Sequence, residues 1–298
     1  MTIVERILYP FRRPAPPAAI RAMGFFTDTT LCIGCKACEV ACKQWNQLPS
    51  DGFKWSGNSY DNTARLSATT WRHVAFVEQF EDRKLLRPDK DAASAAGTGF
   101  DLTAILNQPK QGRWLMLSDV CKHCSAAPCQ IACPTGAIIY NQFSDVYIQG
   151  DICNGCGYCV AACPFGVITR NEIDGHAHKC TLCYDRQADG LTPACAKSCP
   201  TGSIQFGPLE ELRGGARKRV EQLRRRGETG AYLYGDEAST NYSALGAFFL
   251  LLDKPSVYGL PEDPQTPQAN LAGDFIRAGL GAASVLIIIA AALAICAA

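Results

Sequence analysis

Sixteen of the seventeen cysteines in this 298-residue chain fall into four groups of four, and this arrangement constrains the fold more than any other feature. In chain order, the groups are Cys32, Cys35, Cys38, Cys42; Cys121, Cys124, Cys129, Cys133; Cys153, Cys156, Cys159, Cys163; and Cys180, Cys183, Cys195, Cys199. Cysteines separated by two residues are poorly placed to bridge each other, and we expect no cleavable signal peptide, so a secreted disulfide framework is disfavoured. The grouping predicts metal ligation.

The spacing within the groups favours iron–sulfur clusters over zinc. The first and third groups read C-x2-C-x2-C-x3-C, and the fourth cysteine of the last three groups is followed by proline, at Pro134, Pro164 and Pro200. This is the bacterial ferredoxin run for [4Fe-4S] clusters. Structural zinc sites instead typically combine two cysteine pairs. The sequence therefore predicts four [4Fe-4S] clusters, with a zinc-stabilised, membrane-anchored scaffold as the remote alternative.

The fourth cysteine of each group has a different role from the first three. Cysteines at i, i+3 and i+6 can wrap one face of a cubane, whereas the fourth lies about one helical turn further on and ligates the other cluster of a pair. Four groups can be coupled in three ways: chain order suggests first with second and third with fourth, and the nested alternative joins first with fourth and second with third. A short predicted hairpin, 138–140 with 146–148, joins the second and third groups as in a single ferredoxin, which favours nesting.

Three near-identical hexapeptides mark an internal repeat around the clusters. CPTGAI, CPFGVI and CPTGSI begin at Cys133, Cys163 and Cys199, and each leads through a Pro-x-Gly turn into an apolar strand. We predict an α+β fold of two ferredoxin-like 2[4Fe-4S] modules. An insertion separates the first two groups, in which 71–77 and 113–117 predict strands and 91–99 a loop.

Two helices are predicted outside the repeat. Cys42 is followed by Lys43 rather than proline, so a helix through 39–42 can continue to about Trp45. A second helix is predicted from Leu209 to the basic residues at 224–226, with acids at its start and Gly227 as its carboxyl-terminal cap. We interpret its seven basic residues as a solvated face, and the net charge of +1 gives no reason to expect a nucleic-acid partner.

The carboxyl-terminal segment is apolar. From Ala278 to Ala298 the chain has no charged residue and would span about 31 Å as a helix, close to the bilayer hydrocarbon thickness. We predict one transmembrane helix here, in contact with membrane lipid, and we interpret Cys296 as an unligated thiol. The nearby Arg277 favours a cytoplasmic globular part by the positive-inside rule.

These observations divide the chain into six segments. They are an amino-terminal arm at 1–24, the first cluster motif at 25–48, the insertion at 49–114, a ferredoxin-like cluster core at 115–206, a helical and loop extension at 207–272 and the transmembrane helix at 273–298.

Several motifs carry a resemblance to a known family. They are CIGCKACEVACKQWN, CKHCSAAPCQIACPTGAI, CNGCGYCVAACPFGVI, KCTLCYDR with its gap to CAKSCPTGSI, LPSDGFKWSGNSYDN, AYLYGD and FFLLLDKPSVYGLP. The chain resembles the four-cluster iron–sulfur subunit of molybdenum/tungsten bis-pterin oxidoreductases, and most closely the β subunit of membrane-bound respiratory formate dehydrogenase. The resemblance implies an electron-transfer subunit with no catalytic site of its own. Its expected partners are a bis-pterin catalytic subunit, which oxidises formate to CO2, and a membrane cytochrome b or quinone-linked subunit.

The family also implies nested pairing, which assigns four ligands to each cluster. The expected ligands are Cys32, Cys35, Cys38 and Cys199 for cluster 1; Cys121, Cys124, Cys129 and Cys163 for cluster 2; Cys153, Cys156, Cys159 and Cys133 for cluster 3; and Cys180, Cys183, Cys195 and Cys42 for cluster 4. It further implies that the globular part lies on the extracytoplasmic side, against the indication from Arg277.

Two residues near the cysteines are candidates for tuning the clusters. His123 lies between Cys121 and Cys124, where the cysteine count is already complete, so we expect a role around the cluster or on the surface rather than ligation. Lys179, next to Cys180, could tune a cluster by its charge or be a surface cation. The same module could also serve a hydrogenase or a sulfur-compound or dimethyl sulfoxide reductase.

The metal content separates a four-cluster protein from a zinc scaffold. We expect anaerobically purified protein to be brown and to contain about sixteen iron and about sixteen sulfide per chain, four of each per cluster. Iron and acid-labile sulfide assays measure this directly. A colourless protein with zinc and no sulfide would contradict the prediction.

Overall fold

The computed structural model describes residues 21–52, 60–61, 63–80, 112–239, 242–266 and 271–297. The strands are β1 Met23–Asp28, β2 Arg72–Phe80, β3 Gly112–Val120, β4 Ile138–Tyr140, β5 Val146–Ile148, β6 Thr169–Arg170, β7 Ala177–His178, β8 Ile204–Pro208, β9 Tyr232–Tyr234 and β10 Ala247–Leu251. The α-helices are α1 Ala37–Trp45, α2 Pro128–Ile131, α3 Tyr158–Ala162, α4 Tyr184–Ala188, α5 Ala194–Lys197, α6 Leu209–Arg225 and α7 Leu271–Ala297.

The main sheet joins both ends of the cysteine-rich region. Its strand order is β8-β1-β10-β9, with β1 parallel to β10 and antiparallel to β8. Strand β10 is a continuous apolar run, AFFLL, and all five of its residues are buried, as expected for a central strand covered on both faces. Phe26 of β1 stacks on Phe248 of β10 with ring centroids 5.3 Å apart.

Two segment predictions are wrong at this sheet. The extension at 207–272 is predicted to be helical or loop, but it contains β9 and β10. The predicted bound between the arm at 1–24 and the first cluster motif at 25–48 falls inside β1, which begins at Met23. Residues 1–20 lie outside the described residues. The physical reason is burial, because these short apolar runs become strands by pairing with distant partners.

The two strands predicted in the insertion are confirmed, and they pair with each other. Strands β2 and β3 form an antiparallel ladder that runs from Arg72 opposite Val120 to Phe80 opposite Gly112. The predicted loop at 91–99 lies outside the described residues.

The ferredoxin-like elements agree with the sequence. Strands β4 and β5 form the predicted hairpin, and β6 pairs with β7 in a second one. The glycine of each Cys-Pro-x-Gly turn, Gly136, Gly166 or Gly202, has a positive φ of 60–70°. Glycine adopts this conformation without a steric penalty, which explains its recurrence in all three turns.

Both predicted helices are confirmed. Helix α1 extends past Cys42 to Trp45, as the absence of proline allows. Helix α6 has Glu210 and Glu211 in its first turn and Arg224 and Arg225 in its last, and Gly227 beyond it has a φ of +99°. These charges oppose the partial charges of the helix ends.

The predicted transmembrane helix is not supported. Helix α7 covers most of 273–298, but among the described residues no helix combines the length and apolarity needed to cross a membrane.

Two glycine substitutions test the packing of the main sheet against α6. A Cβ on Gly24 would lie 2.1 Å from the backbone oxygen of Gly246 and 2.3 Å from Leu209 Cδ2, so we expect Gly24→Ala to destabilise the protein by about 1–3 kcal/mol. Gly214 lies within α6 and has no neighbour within 4 Å of an added Cβ. Gly214→Ala is therefore expected to stabilise by about 0.5–1 kcal/mol. Anaerobic thermal unfolding compares the variants, and an unchanged midpoint for Gly24→Ala would contradict the packing.

Candidate iron–sulfur sites

Three cavities of similar volume are each lined by four cysteines. Each has about 290–300 Å³ of empty space, open solvent included, and each takes three cysteines from one group and the fourth from another. The three sets are Cys153, Cys156, Cys159 with Cys133; Cys121, Cys124, Cys129 with Cys163; and Cys32, Cys35, Cys38 with Cys199. These are the sets expected for clusters 3, 2 and 1.

The remaining four cysteines form a buried set. Burial raises the pKa of Cys42, and the charges of Cys195 and Cys183 raise it further. Burial likewise raises the pKa of Cys180, and Cys42 is the largest charge contribution to that shift. Cys42, on α1, therefore lies beside the cysteines of the fourth group, the set expected for cluster 4.

A single backbone feature shapes all four groups. The residue directly before the second cysteine has a positive φ in each group, at Gly34, His123, Gly155 and Leu182. Glycine reaches this left-handed region freely, whereas His123 and Leu182 adopt it at a steric cost. The resulting curl brings backbone N–H groups towards sulfur, and the Leu182 N–H donates to Cys180 Sγ at 3.2 Å.

Two of the three Cys-Pro-x-Gly turns lower the pKa of their cysteine, whereas burial raises the pKa of the third, Cys163. Burial acts to raise the pKa of Cys133, but the Thr135 hydroxyl and the N–H groups of Ile138, Thr135 and Ala137 outweigh it and lower the pKa. The same arrangement after Cys199 lowers its pKa as well. Since the thiolate is the form that binds iron, these two turns favour the ligating form of Cys133 and Cys199.

The buried Cys38 and Cys124 instead have a raised pKa. Burial raises the pKa of Cys38 to about 11 and that of Cys124 to about 12. These side chains carry protons at neutral pH unless a metal holds the thiolate, so loading the sites releases protons. Among the described residues, no three His, Cys, Asp or Glu side chains are arranged to hold a single metal ion.

Three fully buried cationic side chains lie close to cysteines of the four groups. Arg72 and Lys122 are each 1% exposed, and Lys179 is 3% exposed, so the surface alternative for Lys179 is wrong. The Lys179 ammonium donates to the carbonyl oxygens of Val146 and Cys180. Lys122 donates to the Val120 carbonyl at 2.9 Å and lies between two aromatic rings.

The charges of the cysteines locate Lys179. Burial acts to lower the pKa of Lys179, but Cys121, Cys129 and Cys180 outweigh it and raise the pKa. Lys179 therefore lies between the cysteines of clusters 2 and 4. Sequence reasoning singled out Lys179 but missed Arg72 and Lys122, because nothing in their local sequence distinguishes them from solvated cations.

His123 also lies inside the protein, so its surface alternative is wrong. It lines the cavity of the cluster 2 cysteines and is 2% exposed. Its Nδ1 accepts a hydrogen bond from the Val146 N–H at 3.2 Å, and burial holds its pKa well below the usual range. The ring is therefore neutral with its proton on Nε2, an atom with no hydrogen-bond partner among the described residues.

The residues present fit a sulfur-rich cofactor. Each cavity supplies four cysteines, as a cubane requires. Two buried donors beside cysteines, His123 Nε2 and Arg72 Nε, have no acceptor among the described residues. The Tyr242 hydroxyl, which sequence reasoning missed, donates to Cys124 Sγ at 3.0 Å. Donors of this kind around a cluster stabilise its negative charge.

Comparison with known proteins agrees with this geometry. Residues 31–137 and 112–209 each match a 4Fe-4S dicluster domain. The formate dehydrogenase iron–sulfur subunit of Haemophilus influenzae is 38% identical over 256 residues, which is 85% of this chain and 73% of that protein. The chain belongs to this family. The formate dehydrogenase-O iron–sulfur subunit of Escherichia coli is 40% identical over 80% of this chain and 70% of that protein.

A second kind of relative matches less of the chain. The B subunit of the anaerobic dimethyl sulfoxide reductase of Escherichia coli is 34% identical over 190 residues, 64% of this chain and 75% of that protein. Two dicluster domains correspond to four clusters, so the predicted cofactors of this formate dehydrogenase iron–sulfur family member are confirmed.

Replacing Cys42 tests the exchange of ligands between distant groups. We expect Cys42→Ser to perturb the cluster held by Cys180, Cys183 and Cys195, because Cys42 lies beside them, and to leave cluster 1 intact. Electron paramagnetic resonance of the reduced protein, with an iron assay, measures this. Cys296→Ser, at the cysteine outside the groups, is the matched control. Loss of the cluster at Cys32, Cys35 and Cys38 alone would contradict nested pairing.

Proposed function

We propose that this chain relays electrons within a formate dehydrogenase complex. Electrons pass from a molybdenum/tungsten-pterin catalytic subunit, which oxidises formate to CO2, through four [4Fe-4S] clusters to a membrane cytochrome b or quinone-linked subunit. The observation that carries the proposal is the division of sixteen cysteines into four sets of four, three of which line a cavity each. The similarity to formate dehydrogenase iron–sulfur subunits supports formate as the substrate of the complex.

Nested pairing is part of the proposal. Clusters 1 and 4 exchange Cys199 and Cys42, and clusters 2 and 3 exchange Cys163 and Cys133. The lining of three cavities by these sets supports the assignment.

The contacts between sets also suggest an order of transfer. Arg72 donates to Cys195 and lies near Cys38, so this one side chain lies beside cysteines of both cluster 4 and cluster 1. Lys179 lies between Cys180 and Cys121, which joins clusters 4 and 2. The proposed order is therefore 1, 4, 2, 3.

Each end of this series has an accessible face. Cys35 of cluster 1 and Cys156 of cluster 3 are exposed, whereas all four cysteines of cluster 4 are buried. Exposed apolar side chains flank both ends: Ile33 is 60% exposed next to cluster 1, and Tyr158 is 64% exposed next to cluster 3. We propose that the first face contacts the catalytic subunit and the second contacts the membrane subunit, since these are the two ends of the proposed order of transfer.

We propose that the complex associates with the membrane through the cytochrome b or quinone-linked subunit. We place the globular part on the extracytoplasmic side, as the family resemblance implies. His123 and Lys179 are proposed to tune the clusters, His123 through its free Nε2–H and Lys179 through its charge.

The purified native complex tests the proposal. We expect formate, added anaerobically, to generate the resonance signals of reduced [4Fe-4S] clusters within the complex, because the catalytic subunit supplies the electrons. Dimethyl sulfoxide is not expected to reoxidise them. Clusters that formate leaves oxidised, and that dimethyl sulfoxide reoxidises after chemical reduction, would favour the reductase family represented by the second relative. A hydrogenase partner would instead be revealed by reduction with hydrogen.

A further inference from the structure

A continuous hydrogen-bonded path connects two cysteines of different clusters. The Arg72 Nη2 donates to Cys195 Sγ at 3.2 Å, and its Nη1 lies 3.4 Å from Ser118 Oγ. Ser118 Oγ in turn lies 3.2 Å from Cys38 Sγ. The path runs from a cluster 4 cysteine to a cluster 1 cysteine through two side chains.

The direction of the hydrogen bonds is fixed by chemistry. Arginine can only donate, so the Ser118 hydroxyl accepts from Arg72. A sulfur that ligates iron carries no proton, so the hydroxyl donates to Cys38. The guanidinium also donates to the Ser118 carbonyl oxygen at 3.2 Å, which anchors the pair across the β2–β3 ladder.

The path is buried, and its positive charge has no acidic partner. Arg72 and Ser118 are each 1% exposed, and the Phe25 ring lies 4.8 Å from the guanidinium carbon. Among the described residues, no carboxylate lies within ion-pairing distance of Arg72. A buried cation needs a compensating charge, and here the cysteine sulfurs of two clusters are the groups placed to supply it.

We infer that Arg72 and Ser118 are positioning residues that raise the reduction potentials of clusters 1 and 4 together. An added electron makes a cluster more negative, so a buried cation and hydrogen bonds to its sulfurs stabilise the reduced state more than the oxidised one. Both residues belong to the β2–β3 ladder, which thereby acquires a role at the junction of two clusters. The inference rests on the proposed four-cluster function.

Potentiometric titration of the intact complex tests the inference. Electron paramagnetic resonance follows each cluster, and Cys35→Ser and Cys42→Ser assign the signals of clusters 1 and 4. We expect Arg72→Gln to lower both potentials, shifting each one-electron equilibrium about tenfold, or about 59 mV. Ser118→Ala should lower the potential of cluster 1 and leave cluster 4 near its original value, because it removes only the donor to Cys38.

Two further variants provide matched controls. Arg72→Lys retains the positive charge, so both reduction potentials should stay close to their original values. Arg113 lies on β3 of the same hairpin, but its side chain is 46% exposed and pairs with Asp253. Arg113→Gln removes one charge without touching a cysteine, so neither potential should move.

The outcomes that overturn the inference are distinct from failure of the proposed function. Unchanged potentials in Arg72→Gln with its iron retained would overturn it, as would equal shifts in Arg113→Gln. If Arg72→Gln loses its clusters, an unchanged cluster 1 potential in Ser118→Ala would overturn it. The titration uses a chemical reductant, so the expected shifts in a complex that formate does not reduce would uphold the inference while refuting the function.

Discussion

Four sulfur atoms must surround each cluster, and in the proposed nested pairing the chain supplies them from segments that are far apart in sequence. The main sheet meets this requirement for Cys32 and Cys199. Strand β1 ends at Asp28, β8 begins at Ile204, and these antiparallel strands hold the two cysteine segments side by side. The Asp28 N–H donates to the Ser203 carbonyl at 2.8 Å, and the Ser203 hydroxyl donates to the Asp28 carbonyl at 2.7 Å.

The same sheet reaches the cluster 2 cysteines through β10. The N–H groups of Gly246 and Ala247 donate to the carbonyl oxygens of His123 and Lys122, which lie between Cys121 and Cys124. An added Cβ on Gly246 would meet the His123 oxygen at 2.7 Å, so only glycine permits this approach. The sheet thus connects two cluster sites that the ferredoxin repeat alone would leave independent.

Charge compensation is the second requirement of the buried sites. Thiolates inside a protein are costly unless cations or hydrogen-bond donors accompany them. Arg72, Lys122 and Lys179 are buried among the cysteines of clusters 1, 2 and 4, whereas cluster 3 includes the exposed Cys156. The insertion contributes Arg72, and the segments around the second and fourth groups contribute the two lysines. Electrostatics therefore explains why an insertion without cysteines is packed against cluster cysteines.

The sequence was sufficient for local structure and insufficient for distant pairing. Cysteine spacing and the Cys-Pro-x-Gly repeat predicted the groups, the β4–β5 hairpin and the extension of α1 past Cys42, because each depends on neighbouring residues. Strand β10 was missed, since a short apolar run does not identify its partner. Arg72 was missed because an arginine in a strand gives no sign that its side chain points inwards. The left-handed φ of His123 has no sequence signal either, unlike that of Gly34.

We propose that each cluster is closed by a cysteine from a distant group. Iron-edge anomalous diffraction from crystals of the anaerobically purified complex tests it most directly. We expect four separate iron peaks in this chain, with Cys199 bonded to the peak at Cys32, Cys35 and Cys38, and Cys42 bonded to the peak at Cys180, Cys183 and Cys195. A peak ligated by Cys42 together with Cys32, Cys35 and Cys38 would contradict it.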